Sequence, residues 1–481
     1  MTGTSVMTAA QVHDRLTHPV VDADGHFMEL MPLLDDAIVA DLEETGGRDL
    51  RDRYLSSPIR AFDTVQFQAD RTDPAVRSAW RGMSAWWGNP VADARERATA
   101  HLPRLMYERL DEIGVDVMLT YPSWSLGFIA GPESELRAPV CRAVNRYTAR
   151  LFAPYRDRLR PAALIPMDDP VSAAAEIDYA VGQLGHSLVL LSGYATRQVE
   201  GASGPLGIRL DMFGMDSEAD YDPVWEACVR NRVAPVFHSS LQSTHPARSV
   251  SNYVYNHIGG LAHAHEALCK ALFMGGVYRR FPSLRFGFLE GGVMWGASLL
   301  ADLVGHWEKR GAHAIDTLDP ERLDVSAVMA LVGQFGTDEM AANSDRLQEW
   351  LDRRPGRPAQ TDEFAAAAVS SPEDIIQALA ERSFFGCEAD DPLVPLAFGL
   401  RVAHRPADLQ PMLGTDVGHW DAPVMSDVLP EAYEAVDEGR MDDDQMRAFV
   451  FGNAVRLHGG ANPSFFDGTV CEKAAHDLLT S

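Results

Sequence analysis

The segment Val20-Val21-Asp22-Ala23-Asp24-Gly25-His26, close to the N-terminus, is a short apolar run that ends in two side chains able to bind a metal ion. Residues i and i+2 of a β-strand point to the same face, so Asp24 and His26 are predicted to face the same way at the carboxyl end of this strand. A carboxylate and an imidazole together suit a divalent ion such as Zn²⁺ or Mn²⁺. The same residues also fit a polar strand end, in which Asp24 caps a turn and His26 is exposed.

Seven further segments have the apolar, β-branched character of buried strands, and stretches with helical periodicity separate them. Eight such strands predict an α/β fold, the (β/α)8 or TIM barrel. An open, doubly wound sheet that bound a dinucleotide would need a glycine-rich phosphate loop early in the chain, and the sequence has none there. The predicted strands are Val20–His26, Val115–Tyr121, Arg160–Met167, Ser187–Ser192, Val233–His238, Leu284–Glu290, Ser383–Glu388 and Pro411–Asp416.

The predicted barrel domain occupies residues 18–468 and follows an N-terminal tail of residues 1–17. Two stretches are too long for simple connections between strands. They are residues 27–112, after the first strand, and residues 302–382, after the sixth. We expect both to be helical insertions that form lids or interfaces.

Composition and charge exclude several classes of protein. The net charge of -27 argues against nucleic acid or an anionic membrane surface as a partner. The five cysteines are far apart and lack CxxC spacing, which favours a reduced, cytoplasmic protein. The first residues lack the pattern of a signal peptide, and no apolar run approaches the roughly 18 residues that span a bilayer.

Polar side chains able to bind metal or transfer protons recur at the predicted carboxyl ends of four strands. The fifth strand ends in His238, the sixth in Glu290 and the eighth in Asp416. Taken singly, these could be a core histidine, a carboxylate held by a lysine or arginine, and a helix N-cap. Because that end of a barrel carries the active site in essentially all barrel enzymes, we predict one metal site with Asp24, His26, His238 and Asp416 as its ligands.

With these residues the chain resembles the amidohydrolase superfamily, in the branch that contains aminocarboxymuconate semialdehyde decarboxylase and gamma-resorcylate decarboxylase. The first strand of that branch usually ends in His-x-His or Glu-x-His, where this chain has Asp24-Gly25-His26. The fifth-strand histidine of the family matches His238, and its eighth-strand motif matches Gly414-Thr415-Asp416. The resemblance implies a homodimer. We expect one divalent metal ion, zinc ahead of manganese or iron.

The end of the sixth strand departs from the family pattern. Many members have a histidine there that is followed by glycines and transfers a proton, whereas this chain has Glu290-Gly291-Gly292. A glutamate can do acid–base work if burial raises its pKa, or it can hold another residue in place. His257 could supply the missing imidazole, or it could have no chemical role.

Three functions fit these residues. The resemblance implies non-oxidative decarboxylation of an aromatic or enol-type carboxylic acid, with Glu290 or His257 as the proton donor and Asp416 as a ligand that also moves a proton. The second is hydrolysis of a C–N, C–O or C–C bond by a metal-activated water, with Asp416 as the base. The third is a ligand-binding barrel without turnover, in which Asp24 marks a lost site. The leading prediction has a small aromatic or unsaturated carboxylic acid as substrate.

Overall fold

Eight parallel strands form one sheet in the computed structural model, which describes residues 7–60, 82–83, 92–129, 134–201, 207–241 and 247–481. Each strand pairs with the next strand along the chain. The strands are β1 Val21–Phe27, β2 Val117–Pro122, β3 Leu159–Ile165, β4 Leu188–Leu191, β5 Pro235–Phe237, β6 Phe286–Phe288, β7 Ser383–Cys387 and β8 Gln410–Leu413.

The segment after β8 meets β1 across the remaining gap in the sheet. The Asp416 N–H donates to the Asp24 carbonyl at 3.0 Å, and the His26 N–H donates to the Val417 carbonyl at 3.0 Å. These two bonds join the first and last strands and close the sheet into a barrel. The fold is therefore the predicted (β/α)8 barrel.

The barrel strands are apolar because helices cover their outer faces and neighbouring side chains fill the interior. All four residues of β4, for example, are buried. The helix before β4 begins where the sequence predicts, since the Asp169 side chain accepts a hydrogen bond from the Ser172 N–H at 2.8 Å and Pro170 takes the first helical position.

Helices lie in most of the connections between strands. The connection from β7 to β8 has only a 3₁₀ turn and a two-residue antiparallel pair, and every residue of it is described. The helices between the strands and at the two chain ends include Ala9–His13, Pro103–Ile113, Leu126–Ile129, Arg137–Leu151, Pro170–Gly182, Asp222–Asn231, Tyr253–His257, Gly260–Met274, Val277–Arg280, Met294–Arg310, Pro372–Arg382, Val428–Asp437, Asp443–Arg447, Asn453–Ala461 and Glu472–Thr480.

Both long connections contain further helices. The one after β1 includes Met31–Leu55 and Ala94–His101, while residues 61–81 and 84–91 lie outside the described residues. The one after β6 includes Val325–Phe335, Asp338–Ala342 and Ser344–Asp352. The domain limits at residues 18 and 468 stay a prediction.

Among the described residues, no helix combines the length and the apolar character that crossing a membrane requires. All five cysteines are buried and free of disulfide bonds.

Candidate metal centre

The end of β1 brings Asp24 and His26 to one side, buried inside the barrel mouth. Asp24 Oδ1 lies 3.5 Å from His26 Nε2. The register of β1 against β2 shifts between Asp22 and Gly25, and the backbone is crowded there. A Cβ on Gly25 would lie 2.5 Å from Asp22 Oδ2, so only glycine fits this bulge beside the candidate ligands.

Glu290 and Asp416 lie just past β6 and β8 in a strained backbone conformation. Their φ angles are 55° and 48°, in the left-handed region that non-glycine residues seldom adopt. Such a conformation costs on the order of 1–3 kcal/mol and persists only where the surroundings impose it, most often at functional sites. Both side chains lie in the cluster at the barrel mouth, and Asp416 Oδ1 is 3.4 Å from His26 Nε2.

The structure brings all four predicted ligands into two overlapping groups. One ligand atom from each of Asp24, His26, His238 and Glu290 lies within 4.8 Å of the others. The second group, with the same spacing, consists of His26, Glu290, Asp416 and His419. Glu290 therefore stands between the predicted ligands rather than apart from them.

Most polar atoms of this cluster form no aligned hydrogen bond with any described residue, although they are buried. An unsatisfied buried polar group is rare and costs about 1–3 kcal/mol. A divalent cation would use these lone pairs, so the residues present fit a metal ion. The atoms are Asp24 Oδ1, His26 Nδ1 and Nε2, His238 Nε2, and Asp416 Oδ1 and Oδ2.

The pKa shifts in the cluster also fit a bound metal ion. Burial, with the charge of Glu290 added to it, holds the pKa values of Asp24 and Asp416 well above their usual range. Burial holds the pKa of His26 well below its usual range. The protein by itself thus disfavours the ionised carboxylates that a metal ion needs as ligands, and a bound cation would restore them.

Glu290 is held by imidazoles. Glu290 Oε2 lies 2.9 Å from His238 Nε2, and Oε1 lies 3.8 Å from His257 Nε2. Burial raises the pKa of Glu290, but the two histidines outweigh it and hold that pKa well below its usual range. Among the described residues no lysine or arginine forms an ion pair with Glu290. His257 ends the helix Tyr253–His257, and its pKa is raised because the attraction of Glu290 outweighs burial.

Further carboxyl groups lie at the mouth beside this pair. One ligand atom of Asp421 lies within 4.8 Å of those of His257 and Glu290. Burial raises the pKa of Asp421 to about 7 and the pKa of Glu388 to about 8. Trp420 packs edge-on against His257, with ring centroids 5.4 Å apart. The sequence analysis gives Asp421 no role in the site. Its position five residues after Asp416 is the feature of the sequence that could have indicated one.

Two other residues of the site also escaped the sequence analysis. The Asp22 carboxylate accepts a hydrogen bond from the Thr415 hydroxyl at 2.6 Å and so links β1 to the end of β8. His419 lies 2.7 Å from Asp416. Asp22 lies two residues before Asp24 on the same strand, so it is expected to share the face of Asp24 and His26, and this spacing is the only feature of the sequence that pointed to it.

Comparison with known proteins identifies the family. Residues 21–366 match the family Amidohydro_2, described as amidohydrolase. A gamma-resorcylate decarboxylase from Rhodococcus jostii (strain RHA1) is 29% identical over 157 residues, which is 32% of this chain and 45% of that relative. The match therefore spans less than half of the relative's length.

A solved structure shares the overall fold. An amidohydrolase from Mycobacterium avium subsp. paratuberculosis K-10 superposes with a TM-score of 0.51 at 16% identity, over 92% of this chain and 100% of the other. A 2,6-dihydroxybenzoate decarboxylase from Rhizobium reaches a TM-score of 0.44 at 15% identity, over 92% and 99% of the two chains. At such identities the likeness concerns the fold alone. Because the family match takes in most of the chain, this protein belongs to the amidohydrolase family, as its resemblance indicated.

Proposed function

We propose that this protein is a divalent-metal-dependent carboxy-lyase that decarboxylates an aromatic or enol-type carboxylic acid without oxidation. The observation that carries the proposal is the buried cluster of Asp24, His26, His238 and Asp416, whose polar atoms lack aligned partners among the described residues. Membership of the amidohydrolase family supports a metal-dependent enzyme, and the partial similarity to a decarboxylase favours this reaction.

We infer that Asp24, His26, His238 and Asp416 hold one metal ion. Two imidazoles and two carboxylates suit zinc, the ion we expect, and also manganese or iron. When bound, the ion supplies Lewis-acid chemistry that draws electron density from the substrate carboxylate and an adjacent oxygen.

The chain itself must supply a proton. Decarboxylation breaks the bond between a carbon and the carboxyl group, CO₂ leaves, and the electron pair left on that carbon takes up one proton. We propose that His257 and Glu290 deliver this proton as a pair, since their Nε2 and Oε1 atoms are 3.8 Å apart at the barrel mouth. The partly exposed side chain of His257 connects the pair to solvent for reprotonation.

Measurement of CO₂ release tests this proposal. The metal-loaded protein is incubated with a panel of hydroxybenzoic and other unsaturated acids, and His257→Gln and Glu290→Gln are compared with wild type. We expect both variants to keep the metal and to lose about 10²–10⁴ of kcat, the usual worth of general acid–base catalysis. Glu266→Gln, at a half-buried site on the neighbouring helix Gly260–Met274, serves as the control. Fully loaded protein that releases no CO₂ from any acid would contradict the proposal.

Hydrolysis is the second candidate, because the same ligands can lower the pKa of a bound water to about 7. Asp416 favours it, since both of its carboxylate oxygens lack an aligned partner and one of them could take the proton of that water. Incorporation of ¹⁸O from labelled water into the product, without CO₂, would decide for hydrolysis. A barrel that binds ligand without turnover is the remaining alternative. It would show neither CO₂ release nor incorporation of ¹⁸O.

We further infer that the protein acts as a homodimer through the insertion after β6. The helix Val325–Phe335 is rich in apolar residues, yet Val325 alone is buried in it, while Phe335 is 75% exposed and the nearby Trp350 69%. An aromatic side chain buries about 150–250 Å² when fully covered, and a stable interface needs about 800 Å² per partner. A second copy that covered this face would obtain a large share of that area.

Sedimentation equilibrium tests the dimer. We expect wild type to sediment as a dimer and Phe335→Glu as a monomer. Val171→Glu, at a site 69% exposed on the helix Pro170–Gly182, should stay dimeric. Identical association of all three proteins would show that this face is not the dimer interface.

We also propose a cytoplasmic location and a barrel domain of residues 18–468. The five buried cysteines, none of them in a disulfide, support a reducing compartment. Limited proteolysis that left a stable fragment with these limits would support the domain boundaries.

A further inference from the structure

The imidazole of His419 has polar contacts at both of its ring nitrogens. Nδ1 lies 2.7 Å from Asp416 Oδ1, and Nε2 lies 2.8 Å from the Ser123 hydroxyl, in the loop after β2. The ring also stacks on His26, with centroids 4.0 Å apart and an angle of 27° between the planes. His419 thus touches one candidate ligand from β1 and one from the end of β8.

These contacts suit a positioning role for His419. Its Nε2 nitrogen is engaged by the Ser123 hydroxyl, and its Nδ1 nitrogen faces Asp416 Oδ1. A serine hydroxyl can donate to a neutral imidazole nitrogen, and the other nitrogen then carries the hydrogen and donates. An ionised Asp416 carboxylate can only accept, so the hydrogen belongs on His419 Nδ1, 2.7 Å from Asp416 Oδ1, and the Ser123 hydroxyl then donates to Nε2.

The Asp416 carboxylate needs such support. Its backbone is in the strained left-handed region, and neither of its oxygens has an aligned hydrogen-bond donor among the described residues. A hydrogen bond between the carboxyl groups of Asp421 and Asp416 needs a proton on one of them, and two ionised groups repel each other. The contact with His419, at 2.7 Å, can direct an ionised Asp416 carboxylate before a metal ion binds.

We propose that His419 and Ser123 are positioning residues that orient the Asp416 carboxylate and the His26 ring for metal binding. The inference rests on the proposed metal-dependent function and adds two residues to it. His419 acts through Asp416 and through its stack on His26, and Ser123 acts by holding the Nε2 edge of the His419 ring. Partners that orient metal ligands in this way typically change metal affinity by about 10–100-fold.

The affinity for Zn²⁺, measured by competition with a chelator, tests the proposal on the full-length protein. His419→Phe keeps the flat ring but removes both nitrogens, and we expect its Zn²⁺ affinity to fall by about 10–100-fold with one ion still bound at saturation. Ser123→Ala should lose part of that factor, and Ser123→Thr should regain it because the hydroxyl returns. Replacement of Zn²⁺ by Co²⁺ adds a spectroscopic readout, since a misdirected carboxylate shifts the visible absorption of the ion.

Ser125→Ala is the matched control. This buried hydroxyl lies two residues further along the same loop and has no aligned hydrogen bond among the described residues, so the variant should bind Zn²⁺ as wild type does. An affinity of His419→Phe within twofold of wild type, with an unchanged Co²⁺ spectrum, would overturn the proposal even if thermal stability fell.

Three further outcomes would contradict the positioning role of His419. Complete loss of metal from His419→Phe at saturating Zn²⁺ would make His419 a ligand and would contradict the positioning role. Wild-type protein that binds no metal would remove both this inference and the proposed function. Wild-type protein that binds metal, with variants that bind it equally well, would remove this inference alone.

Discussion

At the residue scale, Gly414 shows how closely the last strand approaches the first. A Cβ on this residue would lie 2.8 Å from the Cβ of Asp24, nearer than side-chain carbons pack. Glycine is therefore required just beyond β8 for Asp24 to occupy its place in the cluster. The sequence motif Gly414-Thr415-Asp416 combines this close approach with a candidate ligand two residues later.

We expect Gly414→Ala to displace Asp24. The variant should lose about 1–3 kcal/mol of unfolding free energy from overpacking, and it should bind Zn²⁺ more weakly than wild type. Urea unfolding and chelator competition measure the two effects. Gly182→Ala, at a helical site where a Cβ would meet no atom within 4 Å, should leave Zn²⁺ binding unchanged and lose no stability, since alanine favours a helix over glycine. Equal behaviour of the two variants would show that β1 and β8 are not held this closely.

Part of the site could be predicted from single residues, and part could not. Asp24 and His26 follow from alternate spacing on one strand, and His238 and Asp416 from their places at strand ends. His419 could not be assigned, because its role depends on contact with Ser123 almost three hundred residues away in the sequence. The histidines around Glu290 reverse the rise in its pKa that burial alone predicts.

At the scale of elements, one buried carboxylate adds to the two backbone hydrogen bonds that join β1 to the end of β8. Asp22 accepts hydrogen bonds from the Thr415 hydroxyl at 2.6 Å and from the Thr415 N–H at 3.1 Å. Burial raises the pKa of Asp22 to about 6 even with these bonds. A buried carboxyl group that loses a donor is expensive, so the joint should be sensitive to Thr415.

Thr415→Val should lower the free energy of unfolding by about 1–3 kcal/mol, because it removes a hydroxyl donor from a buried acceptor and keeps the shape of the side chain. Chemical denaturation measures this loss. Thr196→Val is the control, since the buried Thr196 hydroxyl has no aligned hydrogen bond among the described residues. That variant should be neutral or slightly more stable. An equal loss of unfolding free energy in Thr196→Val and Thr415→Val would show that the bond from Thr415 to Asp22 does not stabilise the joint.

The elements of the barrel were predicted well because buried parallel strands are nearly continuous apolar runs. All eight strands lie where the sequence places them, but β5 and β6 are shorter than predicted, at Pro235–Phe237 and Phe286–Phe288. Strand ends depend on hydrogen bonds to the neighbouring strand, which apolar patterning does not report. Past β6 the chain leaves the sheet and Glu290 turns into the left-handed region.

At the scale of the whole molecule, buried neutral histidines should make the fold sensitive to acid. His458 stacks on Phe465 with ring centroids 4.6 Å apart, and burial lowers its pKa to about 3. Between an unfolded pKa of about 6.5 and this value, the unfolded chain binds a proton that the folded chain does not. Stability from this group is thus complete above about pH 6.5 and falls as the pH falls toward 3.

His458→Phe should flatten that dependence. Each pH unit in the window lowers the free energy of unfolding by up to about 1.4 kcal/mol per buried neutral histidine. From pH 6 to pH 5, wild type should therefore lose about 1 kcal/mol more unfolding free energy than His458→Phe. Urea denaturation at both pH values measures it. Parallel pH profiles for the two proteins would mean that His458 is not kept neutral by the fold.

We expect the barrel mouth to hold one divalent metal ion, and elemental mass spectrometry measures the metal content of the protein. Wild type should contain about one ion of zinc, manganese or iron per chain, and Asp24→Ala, His238→Ala and Asp416→Ala should lose it, because each variant removes one of four ligands. Wild-type protein that stays free of metal after reconstitution, or variants that retain the ion in full, would contradict this expectation.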